Sequence, residues 1–321
     1  MQIGFVGLGN VGGKLAASLL RNGFDLMVHD LDESAASELI EQGAQFTESL
    51  ALMATQCDTL ITCLPSPEAS ADVLEGNDGL LGSITPGTIW MEMSTTDARE
   101  VERLGARLAT LKCHALDCPV SGGCHRAATG NISIFAGGDR SVFEQCLPVL
   151  SVMGRQILHT GELGSASQLK VVTNYLATAN LLSLCEALTT CRASGLDLAT
   201  AYEAIRISSG NSFVHETESQ VILNGSRDIN FTIDLVLKDI GLFQSLAEDA
   251  GVPLELNPLM IKIMQDGAKR FGMREWSPNI IKRLEEASSV SVTADGFPAQ
   301  MIDNEPEVPG SEVVADRLNH P

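Results

Sequence analysis

The chain has 321 residues, of which 44% are hydrophobic and 19% are charged, so it has enough apolar material for buried cores and is not a disordered chain. At roughly 150 residues per domain, two domains are expected. The 41 acidic residues exceed the 21 basic residues and give a formal net charge of −20, which repels nucleic-acid phosphates and anionic membranes. We therefore expect a small-molecule ligand, and neither a nucleic acid nor a membrane as partner.

The eight cysteines lie in apolar stretches and include no C-x-x-C pair, which is the spacing typical of zinc sites and dithiol redox sites. We therefore expect reduced, buried thiols and no metal site. The first residues lead directly into an apolar stretch broken by glycines, without a basic leader segment, and no segment reaches the ~18 uninterrupted apolar residues of a membrane span. These features predict a cytoplasmic protein.

Short apolar runs alternate with helical stretches through the first half of the chain. Helices are predicted at residues 12–22 and 33–42, and strands are predicted at residues 3–7, 25–30, 59–64, 88–93, 114–117 and 132–136. The connections between the later strands are long enough to contain helices, as parallel strands require. This alternation predicts an α/β fold with a Rossmann-type, mostly parallel sheet and helices on both faces.

The pattern changes near residue 160, where strand signals weaken. Residues 165–191 contain neither proline nor glycine, and their apolar residues recur at helical spacing, so a long, largely buried helix is predicted. Further helices are predicted at residues 198–207, 235–250, 258–271 and 277–287. We therefore expect a Rossmann-type domain at residues 1–162, an interdomain helix at residues 163–193 and an all-helical C-terminal domain at residues 194–287.

The last segment, residues 288–321, loses the helical pattern. It contains four prolines and one arginine, Arg317, against six acidic residues: Asp295, Asp303, Glu305, Glu307, Glu312 and Asp316. Several prolines with unbalanced charge are typical of segments that remain solvated. We therefore predict an acidic, flexible tail rather than a third domain.

A glycine-rich loop follows the first predicted strand and precedes the first predicted helix. It has the pattern G-x-G-x-x-G and consists of Gly7, Leu8, Gly9, Asn10, Val11 and Gly12. The first glycine permits a tight turn, the second lets the backbone approach a diphosphate, and the third lets the helix pack closely. Because the N–H groups at the helix N-terminus then face the phosphates, we expect a dinucleotide cofactor on this loop.

Asp30 ends the second predicted strand, 18 residues after Gly12, where a carboxylate can bind the adenine ribose hydroxyls. This carboxylate would repel the 2′-phosphate of NADP, and the next residue, Leu31, is not an arginine that could bind that phosphate. The sequence therefore predicts NAD in preference to NADP, unless Arg21 or another distant cation reaches the phosphate.

A serine followed by two glycines ends a strand in the second part of the α/β domain. Ser121, Gly122 and Gly123 can present a hydroxyl and backbone N–H groups to a carboxylate. The same residues also suit an ordinary turn. Two functions are therefore open for this loop.

Two lysines of the second half are candidates for catalysis or binding. Lys170 and Asn174 project from one face of the long helix because they are four residues apart. A lysine there either extends to solvent or lies in a functional cleft. Lys238 begins another helical stretch beside Asp239, and the two would also suit an exposed ion pair.

Together these motifs resemble those of the β-hydroxyacid dehydrogenase family. Besides the cofactor loop, the matching blocks are residues 61–65 (ITCLP), 92–96 (EMSTT), 117–123 (DCPVSGG), 164–174 (G-x5-K-x3-N) and 238–242 (KDIGL). The blocks follow the family's order and extend over residues 1 to about 287. The resemblance implies a Rossmann-type domain, a long connecting helix and a helical C-terminal domain.

The resemblance also implies an NAD-dependent oxidoreductase that interconverts a short 3-hydroxy acid and its semialdehyde or keto form by hydride transfer. Lys170 would donate or accept the proton of the alcohol oxygen, and Asn174 would orient Lys170 or the substrate. The serine–glycine loop would bind the substrate carboxylate, and Lys238 would lie over the cofactor. The remaining residues that would border the cofactor are Leu64, Pro65 and Thr95. Because the family forms dimers and tetramers, a homodimer or homotetramer is expected.

Several positions depart from the family pattern. Arg126 stands where glycine or proline is common, and it is either a solvent-facing residue or a second cation for the substrate. Glu92 and Met93 replace the usual Asp and Ser, and Trp276 stands where many relatives have an acidic residue. These departures leave the reaction class unchanged and the choice of 3-hydroxy acid open.

Two other functions are compatible with parts of the sequence. An NADPH-dependent imine reductase has the same architecture, but such enzymes usually lack the helix lysine that Lys170 provides. A non-catalytic NAD-binding scaffold protein would need neither this lysine nor the serine–glycine block, and both are present. A 6-phosphogluconate dehydrogenase would need a much larger helical domain.

Overall fold

The computed structural model describes residues 1–315 and divides into two compact units. Of the described residues, the first unit contains Met1–Lys170 and residues 303–315, and the second contains Val171–Ile302. The boundary falls within the long helix, so this helix contributes residues to both units. The predicted domain bounds, with an interdomain helix at residues 163–193, stay a prediction.

Strands and helices alternate in the first unit. Its described strands are β1 (Gln2–Val6), β2 (Asp25–His29), β3 (Gln45–Phe46), β4 (Thr59–Thr62), β5 (Ile89–Glu92), β6 (His114–Asp117), β7 (Val120–Ser121), β8 (Ile132–Gly137), β9 (Gly154–Gly161) and β10 (Ser311–Glu312). Its described α-helices are α1 (Gly12–Arg21), α2 (Ser37–Glu41), α3 (Leu50–Gln56), α4 (Pro67–Glu75), α5 (Ala98–Thr110), α6 (Cys124–Ala128) and α7 (Arg140–Met153). Short 3-10 helices lie at Glu33–Ala36 and Leu80–Gly82.

These strands form one sheet with the order β10-β9-β8-β6-β5-β4-β1-β2-β3, and β7 pairs with β8. The pairs are parallel except that β8 is antiparallel to β6 and β7. Strand β1 lies between β4 and β2. After β1, the sheet is extended first on one side by β2 and β3 and then on the other side by β4 and β5. Ligands of such sheets bind beyond the carboxyl end of the strands at this reversal. The predicted α/β fold with a mostly parallel sheet is confirmed.

The central strands are buried over their whole length. Every residue of β4 and β5 is buried, including the polar Thr62 and Glu92 at their carboxyl ends. Parallel strands are buried in this way when helices cover both faces of the sheet. The two buried polar groups therefore lie at the sheet edge that a ligand would approach.

The second unit is helical. It contains the larger part of α8 (Ser165–Ala193), which begins in the first unit, followed by α9 (Leu198–Arg206), α10 (Phe213–Asn224), α11 (Ile233–Asp249), α12 (Leu256–Phe271) and α13 (Lys282–Ser288). A 3-10 helix at Ser277–Ile281 precedes α13, where one continuous helix is predicted. The apolar side chains of these helices form a core around Leu188, Ile222 and Met264.

Helix α10 is not among the helices predicted from the sequence. The hydroxyl of Ser212 caps its start by accepting a hydrogen bond from His215 N (3.0 Å), and Gly225 ends it in a left-handed conformation. His215 and Ser219 are buried in the helix and bonded to each other (2.8 Å). Because buried polar residues interrupt the apolar stripe, the helical periodicity of this segment is weak.

In the described part of the predicted acidic tail, residues 288–315, several residues bond to helices or strands of their own unit, and the flexibility of this segment stays a prediction. In the second unit, Val292 is fully buried and Ala294 N donates to Leu223 O (2.8 Å). In the first unit, β10 pairs with β9. Asp316 and Arg317, which the prediction also included, lie outside the described residues. Three of the acidic side chains, Glu305, Glu307 and Glu312, pair with arginines that are distant in sequence, and composition alone does not reveal such partners.

Six of the eight cysteines are buried, as predicted, and none of the eight forms a disulfide among residues 1–315. Burial raises the pKa of Cys57 to about 11, as expected for a thiol without a redox role. Within residues 1–315, no helix has both the length and the apolar composition needed to cross a membrane.

Candidate active site

The glycine-rich loop connects β1 to α1 at the carboxyl edge of the sheet. Gly7 N donates to His29 O (3.0 Å), and Leu8 N donates to Asp30 Oδ2 (2.7 Å). The other oxygen of Asp30 accepts a hydrogen bond from Asp32 N (2.9 Å). The carboxylate that the sequence assigns to the ribose is therefore held beside the loop that the sequence assigns to the diphosphate.

The loop has the steric and polar features that a dinucleotide requires. A Cβ atom on Gly12 would lie 2.0 Å from Gly7 O, so only glycine fits there, whereas a Cβ on Gly9 would have no neighbour within 4 Å. Among residues 1–315, the N–H groups of Asn10, Val11 and Gly12 have no acceptor. The first turn of α1 contains no acidic residue. This open, unpaired helix N-terminus fits a cofactor diphosphate.

The segment after β4 is tied to the end of β5. Leu64 N donates to Ser94 Oγ (2.7 Å), while Ser94 N donates to Glu92 Oε1 (2.9 Å) and the Ser94 hydroxyl donates to the same oxygen. Pro65 follows Leu64 and Thr95 follows Ser94, so both predicted cofactor residues adjoin this hydrogen-bonded chain.

Glu92 is completely buried at the centre of this chain. Burial raises the pKa of its carboxyl group, and the hydroxyls of Ser70, Ser94 and Thr62, which favour the ionised form, only partly oppose this effect. Relative to an exposed glutamate, this carboxyl is therefore shifted toward its neutral form.

Asp117 ties the start of α8 to the end of β6. Its side chain is fully buried and accepts hydrogen bonds from Gly164 N (3.1 Å) and Ser167 N (2.7 Å). These donors are N–H groups at the N-terminus of α8, which carries Lys170 one turn further on. Burial raises the pKa of Asp117, and the two N–H donors partly offset that shift. The helix with the candidate lysine is thereby fixed to the sheet.

The proposed carboxylate-binding loop follows β7. Gly122 and Gly123 have φ values of +133° and +87°, which side chains with a Cβ rarely adopt. Their N–H groups have no acceptor among residues 1–315. Gly123 immediately precedes α6, and Ser121 and Gly122 are partly exposed. The loop can therefore offer N–H groups and a hydroxyl to an anion, and its binding of the substrate carboxylate stays a prediction.

Arg126 packs against this loop. Its Cδ lies 3.3 Å from the position that a Cβ on Gly122 would occupy, so the aliphatic part of the side chain covers the glycine. Its guanidinium is 3.9 Å from Glu305 of the C-terminal segment. The side chain is 35% exposed. Arg126 is therefore part of an ion pair within the first unit, a role that the sequence does not predict.

Lys170 is 7% exposed on α8, a degree of burial that few lysines have. In the second unit, Asn174 Nδ2 donates to Asp239 Oδ2 (2.5 Å), and Lys238 Nζ lies 3.2 Å from Asp239 Oδ1. Asp239 is 2% exposed, so this is not the exposed ion pair that the sequence leaves open. Lys238 and Asn174 thus share one buried carboxylate.

The structure brings the candidate residues together in groups. In the first unit, Leu8 is bonded to Asp30, the Gly7 turn contacts Cys63 and Leu64, and the segment of Leu64 and Pro65 is bonded to that of Thr95. The serine–glycine loop follows Asp117 along the chain. Lys170 lies on the helix whose start is hydrogen-bonded to Asp117. In the second unit, Asn174 and Lys238 meet at Asp239. The common use of these groups in one reaction stays a prediction.

Comparison with known proteins gives the family. Residues 2–161 match the family model of the NAD-binding domain of 6-phosphogluconate dehydrogenase, and residues 164–284 match the model described as NAD-binding of NADP-dependent 3-hydroxyisobutyrate dehydrogenase. The chain is 33% identical over 294 residues to 2-(hydroxymethyl)glutarate dehydrogenase from Eubacterium barkeri, with 91% of this chain and 98% of that protein covered. The chain belongs to the β-hydroxyacid dehydrogenase family.

Two further relatives agree with this assignment. The NAD-dependent L-serine dehydrogenase of Pseudomonas aeruginosa is 32% identical over 290 residues, covering 88% of this chain and 97% of that protein. The crystal structure of 3-hydroxyisobutyrate dehydrogenase from Salmonella typhimurium has a TM-score of 0.81 at 27% identity, covering 88% of this chain and 99% of that chain. As a member of the β-hydroxyacid dehydrogenase family, the chain is an oxidoreductase that binds a nicotinamide dinucleotide and acts on a hydroxy acid.

Sequence reasoning does not find the roles of three buried carboxyl groups. Asp117 caps α8, Asp239 bonds Asn174, and Glu92 supports the Leu64 segment. A partial signal exists for Glu92, since it is an acidic residue within an otherwise apolar run of five residues, 89–93. For the other two, the partners are 47 and 65 residues away along the chain, and no local pattern connects them.

Proposed function

We propose that the protein is an NAD-dependent 3-hydroxyacid dehydrogenase that interconverts a short 3-hydroxy acid and its semialdehyde or keto form. The observation that carries the proposal is the burial of Lys170 on a helix whose start is bonded to Asp117. A buried lysine requires a compensating interaction, and a proton-transfer role provides one reason to retain it. The family membership supports the same class of reaction.

The bound nicotinamide supplies the hydride acceptor or donor. During reduction, Lys170 Nζ donates a proton to the carbonyl oxygen of the substrate; during oxidation, the same atom accepts the hydroxyl proton, directly or through a relay. Asn174 lies one helical turn beyond Lys170, and we propose that it orients this lysine or the substrate. The bond from Asn174 to Asp239 limits the rotation of its amide.

The substrate carboxylate is proposed to bind the loop of Ser121, Gly122 and Gly123. Two N–H groups without an acceptor in the described chain and one hydroxyl can compensate one carboxylate. Arg126 already lies beside Glu305. We therefore do not assign it to a second anionic group of the substrate. A substrate with one carboxylate, such as a short monocarboxylic 3-hydroxy acid, is therefore favoured.

NAD is proposed as the cofactor in preference to NADP. Asp30 places a carboxylate at the predicted ribose position, and Leu31 is fully exposed and offers no charge to a 2′-phosphate. The cation considered as an alternative, Arg21, donates to Ala128 O (3.0 Å) and pairs with Glu307 (3.4 Å). The name of the Pseudomonas aeruginosa relative, an NAD-dependent enzyme, supports the same preference. Lys238 is proposed to bind the cofactor.

The test is a substrate panel with the purified protein, read by NADH absorbance. It includes 3-hydroxyisobutyrate, glycerate, 4-hydroxybutyrate, threonate and a cyclic imine with NADPH. Lys170→Ala is expected to lower kcat by about 10²- to 10⁴-fold, the usual contribution of a general acid or base, with little change in the Kd of NADH. The matched control is Lys262→Ala, since Lys262 is an exposed lysine of α12.

Each alternative gives a different result in this panel. Reduction of the imine without turnover of any hydroxy acid would favour the imine reductase. NADH binding without any turnover would favour the scaffold protein. Wild-type rates in Lys170→Ala would contradict the proposed proton transfer. Light scattering on the same samples tests the expected homodimer or homotetramer.

A further inference from the structure

The C-terminal segment forms an addition to the first unit, which we call the C-terminal strap (Asp303–Glu312). Both matched family models end before it, at residues 161 and 284. The alignment with the Eubacterium barkeri relative covers 98% of that protein but 91% of this chain, so this chain has residues without a counterpart there. The strap is therefore a feature whose role the family match does not supply.

One end of the strap is held by the sheet. Gly310 N donates to Ser151 O (2.6 Å), and Ser311 and Glu312 pair with β9 as strand β10. The Glu312 carboxylate accepts two hydrogen bonds from the Arg140 guanidinium (2.5 and 2.8 Å). This two-point contact joins the strap to α7, and β9 and β8 separate β10 from the strand β7 that leads into the serine–glycine loop.

The other end of the strap contacts the turn that follows α6. Asp303 Oδ2 accepts hydrogen bonds from Asn131 Nδ2 (2.7 Å) and from the Thr129 hydroxyl. Asn131 Nδ2 also donates to Glu305 O (3.1 Å). Asn131 is 4% exposed, so its amide group depends on these protein acceptors. The strap thus supplies acceptors for the NH₂ group of a buried amide next to α6.

The strap and the turn that it contacts are also connected to α6 itself. Asn131 N donates to Arg126 O in this helix (2.9 Å). Glu305 pairs with the Arg126 guanidinium (3.9 Å), and the stem of Arg126 covers Gly122. Because α6 has only five residues and starts right after Gly123, a shift at its end moves the N–H groups at its start.

We propose that Asp303 is a positioning residue: through Thr129 and Asn131 it fixes α6, and thereby sets the Ser121–Gly123 loop for the substrate carboxylate. The inference rests on the proposed function for the role of that loop. It assigns Asp303 to substrate binding, whereas Glu307 of the same strap pairs with Arg21 of α1. One strap carboxylate, Glu305, lies 3.9 Å from the Arg126 guanidinium, so the strap also contacts the side chain that covers Gly122.

The experiment compares Asp303→Ala with Glu312→Ala in the full-length protein. Both variants remove one carboxylate of the same strap, but only Asp303 contacts the turn after α6. For Asp303→Ala we expect the KM of the hydroxy acid to rise about tenfold, as for loss of a charge-assisted hydrogen bond, with kcat and the KM of NAD little changed. For Glu312→Ala we expect the KM of the hydroxy acid to stay within about twofold of wild type.

Asp303→Asn provides the rescue, because its amide oxygen still accepts a hydrogen bond. We expect its KM to lie within about threefold of wild type. An Asp303→Ala variant with wild-type KM would overturn the proposal, and so would an equal rise in KM for Glu312→Ala, which would show that the strap acts only through general stability.

Hydrogen exchange gives a readout that does not need the substrate. Amides of residues 122–128 should exchange faster in Asp303→Ala than in wild type, whereas Glu312→Ala should leave them unchanged. If no hydroxy acid is turned over, the proposed function fails, but this exchange difference still decides whether Asp303 positions α6. Equal exchange in both variants and wild type would overturn the positioning role.

Discussion

The buried Glu92 makes the stability of the first unit depend on pH in a defined direction. Burial raises the pKa of this carboxyl in the folded protein, whereas in the unfolded chain it ionises near the ordinary glutamate value, about 4.3. Between these two pKa values, the folded protein binds one more proton than the unfolded chain. The free energy of unfolding therefore falls as pH rises through this interval, by about 1.4 kcal/mol per pH unit.

Glu92→Gln should remove this dependence. Glutamine is neutral at every pH and keeps an oxygen that can accept the two hydrogen bonds from Ser94. At pH 4, where Glu92 is mostly neutral in the folded protein and about one third ionised in the unfolded chain, the two proteins should differ by no more than about 1 kcal/mol. Above pH 5 the variant should become the more stable protein, and its advantage should grow by about 1.4 kcal/mol per pH unit up to the folded-state pKa.

The measurement is urea unfolding at pH 4, 5, 6 and 7, without cofactor, followed by tryptophan fluorescence. The chain has two tryptophans; Trp90 lies in β5 of the first unit and is 1% exposed, and Trp276 lies in the second unit. In a Trp276→Phe background the fluorescence comes from Trp90 alone. The measured transition is then the unfolding of the first unit, and it is not mixed with that of the second.

Glu48→Gln serves as the control, because Glu48 is exposed. Its difference from wild type should be the same at each pH. The reasoning would be refuted by stability curves of wild type and Glu92→Gln that run parallel between pH 5 and 7. A wild type that gains stability relative to the variant as pH rises would show that the folded protein prefers the carboxylate.

Two further predictions concern the other carboxylates of the site. Asp30→Ala should narrow the preference for NAD over NADP, since the charge that repels the 2′-phosphate is gone; an unchanged ratio of kcat/KM values for the two cofactors would contradict this role. Asp117→Ala should lower the free energy of unfolding by about 2 to 4 kcal/mol, because two buried N–H groups of α8 lose their acceptor, and should also lower kcat. Urea unfolding measures the change in the free energy of unfolding. Asp117→Asn keeps one acceptor oxygen, so its free energy of unfolding should lie between those of Asp117→Ala and wild type.

Most of the fold was determined by local sequence patterns. The alternation of apolar strands with helical segments predicts the Rossmann-type sheet, and the spacing from Gly7 to Gly12 predicts the cofactor loop, because a tight turn and a close helix start depend on neighbouring residues. Asp30 was also predictable, since it ends the very next strand. The short strands β3, β7 and β10 were not, because two residues leave no periodic pattern.

Other features were decided only by the tertiary structure. Whether Lys170 extends to solvent or is buried depends on what packs around α8, and the helical spacing is the same in both cases. The composition of the C-terminal strap suggests a solvated tail, yet its carboxylates bind Arg21, Arg140 and Arg155, which precede them by 150 residues or more. A charge is solvated or paired according to its neighbours in space, and in this chain those neighbours come from distant parts of the sequence.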